Sequence, residues 1–151
     1  MPIPGKPAFR GLAPTDLSRC DAAASFLQSG FWGSFKARFG WNARAFLADW
    51  GQGGKIPLLV IRRRLGPGVS FAYLPWGPEL PVDFPEDDAL RSAELEALAA
   101  ALKSQLPHDT VFVRFDPPWF TRGADGAPPR VSGRFRRAGA DIQAPDTVVV
   151  D

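Results

Sequence analysis

The sequence predicts a mixed α/β (α+β) fold, a mainly antiparallel sheet flanked by helices, and three observations predict it. Between Asn42 and Leu74, three β-forming runs are separated by the glycine turns GQGG and GPG, and short turns of this kind favour antiparallel hairpins. Asp87 to Leu106 (DDALRSAELEALAAALKSQL) repeats leucine at helical spacing. Ahead of both, Phe26 to Gly40 (FLQSGFWGSFKARFG) is dense in aromatics around one lysine, Lys36. Read as a helix from Gly30 to Phe39, it sets Phe31, Phe35 and Phe39 at i, i+4 and i+8, an apolar face suited to docking on a sheet.

In chain order, Met1 to Pro7 carries three prolines and reads as a loosely held lead-in. Phe9 to Leu12 reads as a short strand. Thr15 or Asp16 caps a short helix through Cys20 to Ala24. Gly40 stops the aromatic helix. Asn42 to Trp50 is the first strand of the meander, and Ile56 to Arg64 is the second. The unbroken apolar run of the latter suits a strand covered on both faces. Val69 to Leu74 alternates and is the third. Pro75-Trp76-Gly77-Pro78 breaks the sheet, and Pro81 to Pro85 is a linker. In the long helix the acidic start suits the helix dipole, while Leu95, Leu98, Ala99 and Leu102 form the stripe that meets the sheet. Pro107 ends it, and His108 falls in the turn beyond. Thr110 to Phe115 is a further strand, closed by Asp116-Pro117-Pro118-Trp119. Gly123 to Pro129 is a loop, Val131 to Ala138 a short basic helix, and Thr147 to Asp151 the start of another strand. The division expected is a domain over 1–140 and the beginning of a second over 141–151, the chain being the N-terminal part of a longer protein.

Composition narrows the function classes. The chain has 151 residues, enough for one domain with a real core. A net charge of +2 is too small to imply nucleic acid. One cysteine, Cys20, allows no internal disulfide and points to a reducing compartment. One histidine and no Cys/His cluster leave nothing to build a zinc site. The N-terminus lacks a long apolar run, so neither a signal peptide nor a membrane span is expected.

Three positions carry alternatives. Lys36 is either a snorkelling lysine whose stem lies on aromatic rings, or a cation fixed at the rim of a cleft to meet an anionic ligand. Trp76 either covers the core at a rigid sheet edge or walls a cleft. Asp116 is either a turn aspartate or a carboxylate facing a crevice from the carboxyl end of a strand.

The residues also carry a resemblance. FLQSGFWGSFKARFGW at Phe26 to Trp41 resembles the N-terminal signature of the Fem peptidyltransferases (FemA, FemB, FemX). PLLVIRRRLGPGVSFAYLPWGPEL at Pro57 to Leu80 resembles their central meander and proline-rich loop, VRFDPPW at Val113 to Trp119 the following strand, and DIQAPDTVVVD at Asp141 to Asp151 the start of their second half. The resemblance implies a GNAT-like (acyl-CoA N-acyltransferase-like) fold, the first of two such domains. It implies an aminoacyltransferase of peptidoglycan synthesis, which moves an amino acid from aminoacyl-tRNA to the peptide stem of a lipid-linked or nucleotide-linked precursor, with no coenzyme A or metal as cofactor. It implies that Lys36 contacts a precursor phosphate, that Asp116 lies near the acceptor amine as catalytic group, and that Trp32, Tyr73 and Trp76 line or support the precursor cleft. The tRNA surface is expected beyond Asp151, so this chain alone is expected to be inactive. The setting implied is cytoplasmic, with the inner face of the membrane as an option that a lipid-linked precursor raises.

Two readings compete with this one. The first is a non-catalytic GNAT-like module that binds a muropeptide or a protein partner. The second is a stand-alone acetyltransferase, which needs a glycine-rich turn opening a helix to cradle a pyrophosphate, whereas Val113 to Pro118 leads into prolines. An exposed apolar face on this chain is expected to drive homodimer formation.

Overall fold

The structure is a computed structural model that describes residues 7–119, 130–140 and 142. The sheet has five strands in the order β1-β2-β3-β4-β5: β1 (Gly11–Thr15), β2 (Asn42–Asp49), β3 (Lys55–Gly66), β4 (Val69–Leu74) and β5 (Thr110–Phe115). The first four are antiparallel neighbours, and for β2 to β4 this is what their turn glycines predict. β5 instead pairs parallel to β4. Parallel neighbours need a crossover, and helix α2 (Asp88–Gln105) supplies it.

The first strand lies two residues later than expected and contains Pro14. It is an edge strand, where a missing N–H is tolerated. The helix expected to end at Ala24 is a 3-10 turn, Leu17–Ala22, followed by a second, Phe26–Gln28. Asp16 occupies the cap position without a side-chain cap bond. Helix α1 (Gly30–Ala37) is capped by Ser29, whose hydroxyl accepts from the Trp32 amide at 3.1 Å. Beyond it, Gly40 takes φ +82°, the left-handed conformation suited to glycine.

β3 is covered on both faces. Leu58 and Val60 join Phe46, Ala72 and Leu74 in a core closed by Leu98, Leu102 and Leu106. Leu59 and Ile61 join Cys20, Ala45 and Tyr73 on the opposite face, packed against Leu17, Trp32 and Trp41. Leu95, Leu98 and Leu102 are buried as the leucine stripe predicts.

Two expectations are overturned. The face of α1 that docks is not the phenylalanine stripe: Phe31, Phe35 and Phe39 are 62%, 39% and 65% exposed. Gly30 and Gly33 are buried instead. A Cβ on Gly33 would stand 2.8 Å from Leu59 Cδ1, so the bare glycine backbone is what seats the helix on β3. Nor is Val131–Ala138 a helix. Residues 130–134 run along α2, where the amides of Arg130, Ser132 and Arg134 donate to Asp88, Ser92 and Glu96 at 2.9, 3.0 and 2.8 Å. These bonds satisfy amides that a helix would have used internally. The expected loop 123–129 and strand 147–151 lie outside the described residues. Among the described residues, no helix is long and apolar enough to cross a membrane.

Candidate functional site

The candidate residues fall into two adjoining groups and a pocket. The first group grows from α1. Trp32 and Lys36 are four residues apart on that helix and therefore neighbours. Lys36 Nζ lies 4.9 Å from the Trp32 ring centroid and 5.4 Å from that of Trp41. The guanidinium of Arg63, on β3, lies 5.4 Å from the same Trp41 ring. Two cations thus share an aromatic platform, and neither has a carboxylate partner among the described residues. Each contact contributes roughly 0.5–1 kcal/mol at a partly exposed site. The platform holds the Lys36 ammonium against the two rings. Trp32 is half-buried with its indole N–H unpartnered among the described residues.

The second group sits at the carboxyl ends of the parallel strands. Tyr73 is the penultimate residue of β4, and its hydroxyl donates to Asp116 Oδ2 at 3.0 Å. The Asp116 backbone pairs antiparallel with Gly77, which ties the proline-rich loop to the end of β5. Asp116 Oδ1 has no hydrogen-bond partner among the described residues. Tyr73 and Trp32 pack on the same core cluster, so Lys36 and Asp116 lie on one face of the sheet.

Gln28, which the sequence reading did not single out, supports this arrangement from beneath. The β3–β4 ladder begins at Ile61 and Tyr73, and the chain parts beyond it. There the Gln28 amide takes the place of a strand: Nε2 donates to the carbonyls of Leu59 and Pro75 at 3.3 and 2.7 Å, and the Leu59 amide donates to Oε1 at 2.8 Å. Gly77 makes room, since a Cβ there would stand 2.8 Å from Gln28 Nε2.

Trp76 lies in the loop after β4, one residue before Gly77, whose backbone pairs with Asp116. It holds a positive φ of 50°, a conformation that costs a non-glycine residue about 1–2 kcal/mol. Its side chain lines a pocket of about 530 Å³ with Arg91, Trp119 and residues of the linker. Arg91 and Trp119 also escaped the sequence reading. The signal for Arg91 was present: a cation near the amino end of a helix opposes the dipole.

Among the described residues, no group of His, Cys, Asp and Glu could hold a metal ion. Cys20 is fully buried, and burial, with Asp21 and Glu79 nearby, raises its thiol from 9.0 to about 11. It is therefore a core side chain rather than a nucleophile. His108 is exposed in the turn after α2. Comparison of the chain with protein-family models, curated proteins and solved structures finds no match.

Proposed function

We propose that this chain is the N-terminal GNAT-like domain of a Fem-type aminoacyltransferase acting on a peptidoglycan precursor. The element order supports the GNAT-like reading: strand, helical segment, three-stranded antiparallel meander, helix, then a strand added parallel to the last of the meander. The observation that carries the functional reading is the pairing of Tyr73 with Asp116 on the same face as the caged Lys36.

In this proposal the Lys36 ammonium, flanked by Arg63, meets a phosphate of the precursor. An ammonium held on aromatic rings keeps its charge and loses much of its freedom, which lowers the ordering cost of binding. The acceptor is an amine on the peptide stem, which attacks only when neutral. Asp116 is held through Oδ2 by Tyr73, which leaves Oδ1 to accept the amine proton. The amine lone pair attacks the ester carbonyl of aminoacyl-tRNA. An amide C–N bond forms, the ester C–O bond breaks, and the departing ribose oxygen takes the proton back. The second GNAT-like domain of such an enzyme would present the tRNA and close the cleft, because aminolysis depends on holding both substrates together.

Calorimetry with a nucleotide-linked muropeptide tests the reading. We expect wild type to bind, Lys36→Ala to bind about tenfold more weakly or not at all, and Asp116→Asn to bind like wild type. Binding that ignores Lys36, or absent in wild type, would remove the assignment.

A further inference from the structure

The first turns of α2 carry a buried cation, Arg91. Arg91 is 6% exposed, and its guanidinium lies 5.3 Å over the Trp119 ring. Its Nε has no hydrogen-bond partner among the described residues, and neither does the buried Nε1 of Trp119. A buried charged donor left unmet is destabilising, and the amino end of the helix adds its own repulsion. Replacement by an apolar side chain would remove both costs. Arg91 and Trp119 line the same 530 Å³ pocket as Trp76, with Leu80, Phe84 and Pro118 as apolar wall. That size and lining suit a small ligand.

We propose that this pocket binds a monocarboxylate carried on a compact apolar body. A planar guanidinium matches a carboxylate with two parallel hydrogen bonds, and the indole N–H of Trp119 supplies a further donor. The apolar body lies between Trp76 and Trp119. Two carboxylates, Glu79 and Glu86, also line the pocket. Glu79 is anchored by the amides of Ala24 and Ser25 at 3.3 and 3.0 Å. A phosphate dianion would meet both of them at close range, whereas a single negative charge on an apolar stem meets less repulsion. The ligand is either a free acid or the carboxyl-terminal residue of a peptide, and both share this chemistry. The inference does not rest on the aminoacyl-transfer reading.

The test follows the indole N–H signals of the five tryptophans in ¹⁵N-labelled protein. The probes are 4-methylpentanoate, N-acetyl-leucine, N-acetyl-leucinamide and inorganic phosphate. We expect one or both acids to shift Trp76 and Trp119 and leave Trp50 in place, with the neutral amide and phosphate at least about tenfold weaker. Tighter binding of N-acetyl-leucine identifies a peptide end, and tighter binding of 4-methylpentanoate a free acid. Arg91→Gln is expected to weaken the acids about tenfold with the Trp50 signal retained. If that variant does not fold, Trp119→Leu, which keeps the cation and removes its platform, is expected to lose the same affinity. Equal response to acid and amide, phosphate matching the acids, no response to any probe, or unchanged affinity in the variants would overturn the proposal.

Discussion

At Gln28 one buried amide makes three hydrogen bonds to the backbone of two separate segments, where the β3–β4 ladder has ended. Gln28→Leu conserves bulk but strands the amide of Leu59 and two carbonyls. We expect a loss of about 2–4 kcal/mol in urea denaturation, the cost of leaving buried groups unmet. Nothing in the sequence marks Gln28, since glutamine in an aromatic segment reads as a surface residue until the strands on either side are known. Cys20 gives a pH-dependent prediction. Its thiol is raised from 9.0 to about 11 in the folded chain, so the native state holds this proton after the unfolded chain has released it. The stabilisation is complete below pH 9 and is lost as pH rises from about 9 to 11, on the order of 2 kcal/mol in all. Cys20→Ala should flatten that slope in parallel denaturation series, and thiol reagents should modify the native wild-type protein far more slowly than the unfolded chain.

Among the elements, α1 shows where periodicity misleads. Its phenylalanines lie at helical spacing, yet they face outward, because Gly30 and Gly33 make the close contact that seats the helix, with Trp32 packed beside them. A hydrophobic pattern identifies the faces of a helix only when the buried face carries side chains. α2 was legible because its leucines do the packing, and β2 to β4 because glycine turns punctuate apolar runs. The direction of β5 depends on the crossover, and Val131 to Ala138 looked helical only while Asp88, Ser92 and Glu96 were unknown as acceptors for the amides of Arg130, Ser132 and Arg134. For the site, the Lys36–Trp32 pair follows from helical spacing, whereas Tyr73 and Asp116 were nominated singly and their contact required the sheet. Gly30 tests the docking mode. Alanine normally stabilises a helix by up to about 1 kcal/mol over glycine. Here its Cβ would stand against the carbonyl oxygen of Leu17 with the carbonyl carbon at 2.9 Å. We expect Gly30→Ala to destabilise by about 2 kcal/mol or more in chemical denaturation, reversing the propensity effect.

Over the whole molecule, the outward phenylalanines form one continuous ridge. Phe26 packs on Phe31 at 5.6 Å between centroids, Phe31 on Phe35 at 6.5 Å, and Phe35 on Phe39 at 4.9 Å. Exposed apolar area of this kind favours association. Phe31→Ser with Phe39→Ser should leave folding stability within about 1 kcal/mol of wild type, each change being at the surface. The same pair should reduce self-association in sedimentation at high concentration; a large loss of stability would instead mean that the ridge belongs to the core. The single parallel pairing has a kinetic consequence. β2 to β4 join antiparallel through short turns. β5 can pair only after α2 has formed and folded back, so its contacts carry a larger loop-closure cost. Its exposed Val111 and Phe112 add little burial in return. In native-state hydrogen exchange, the amides of β5 should open well before those of β2 and β3, which places Asp116 on the strand that docks last and opens first.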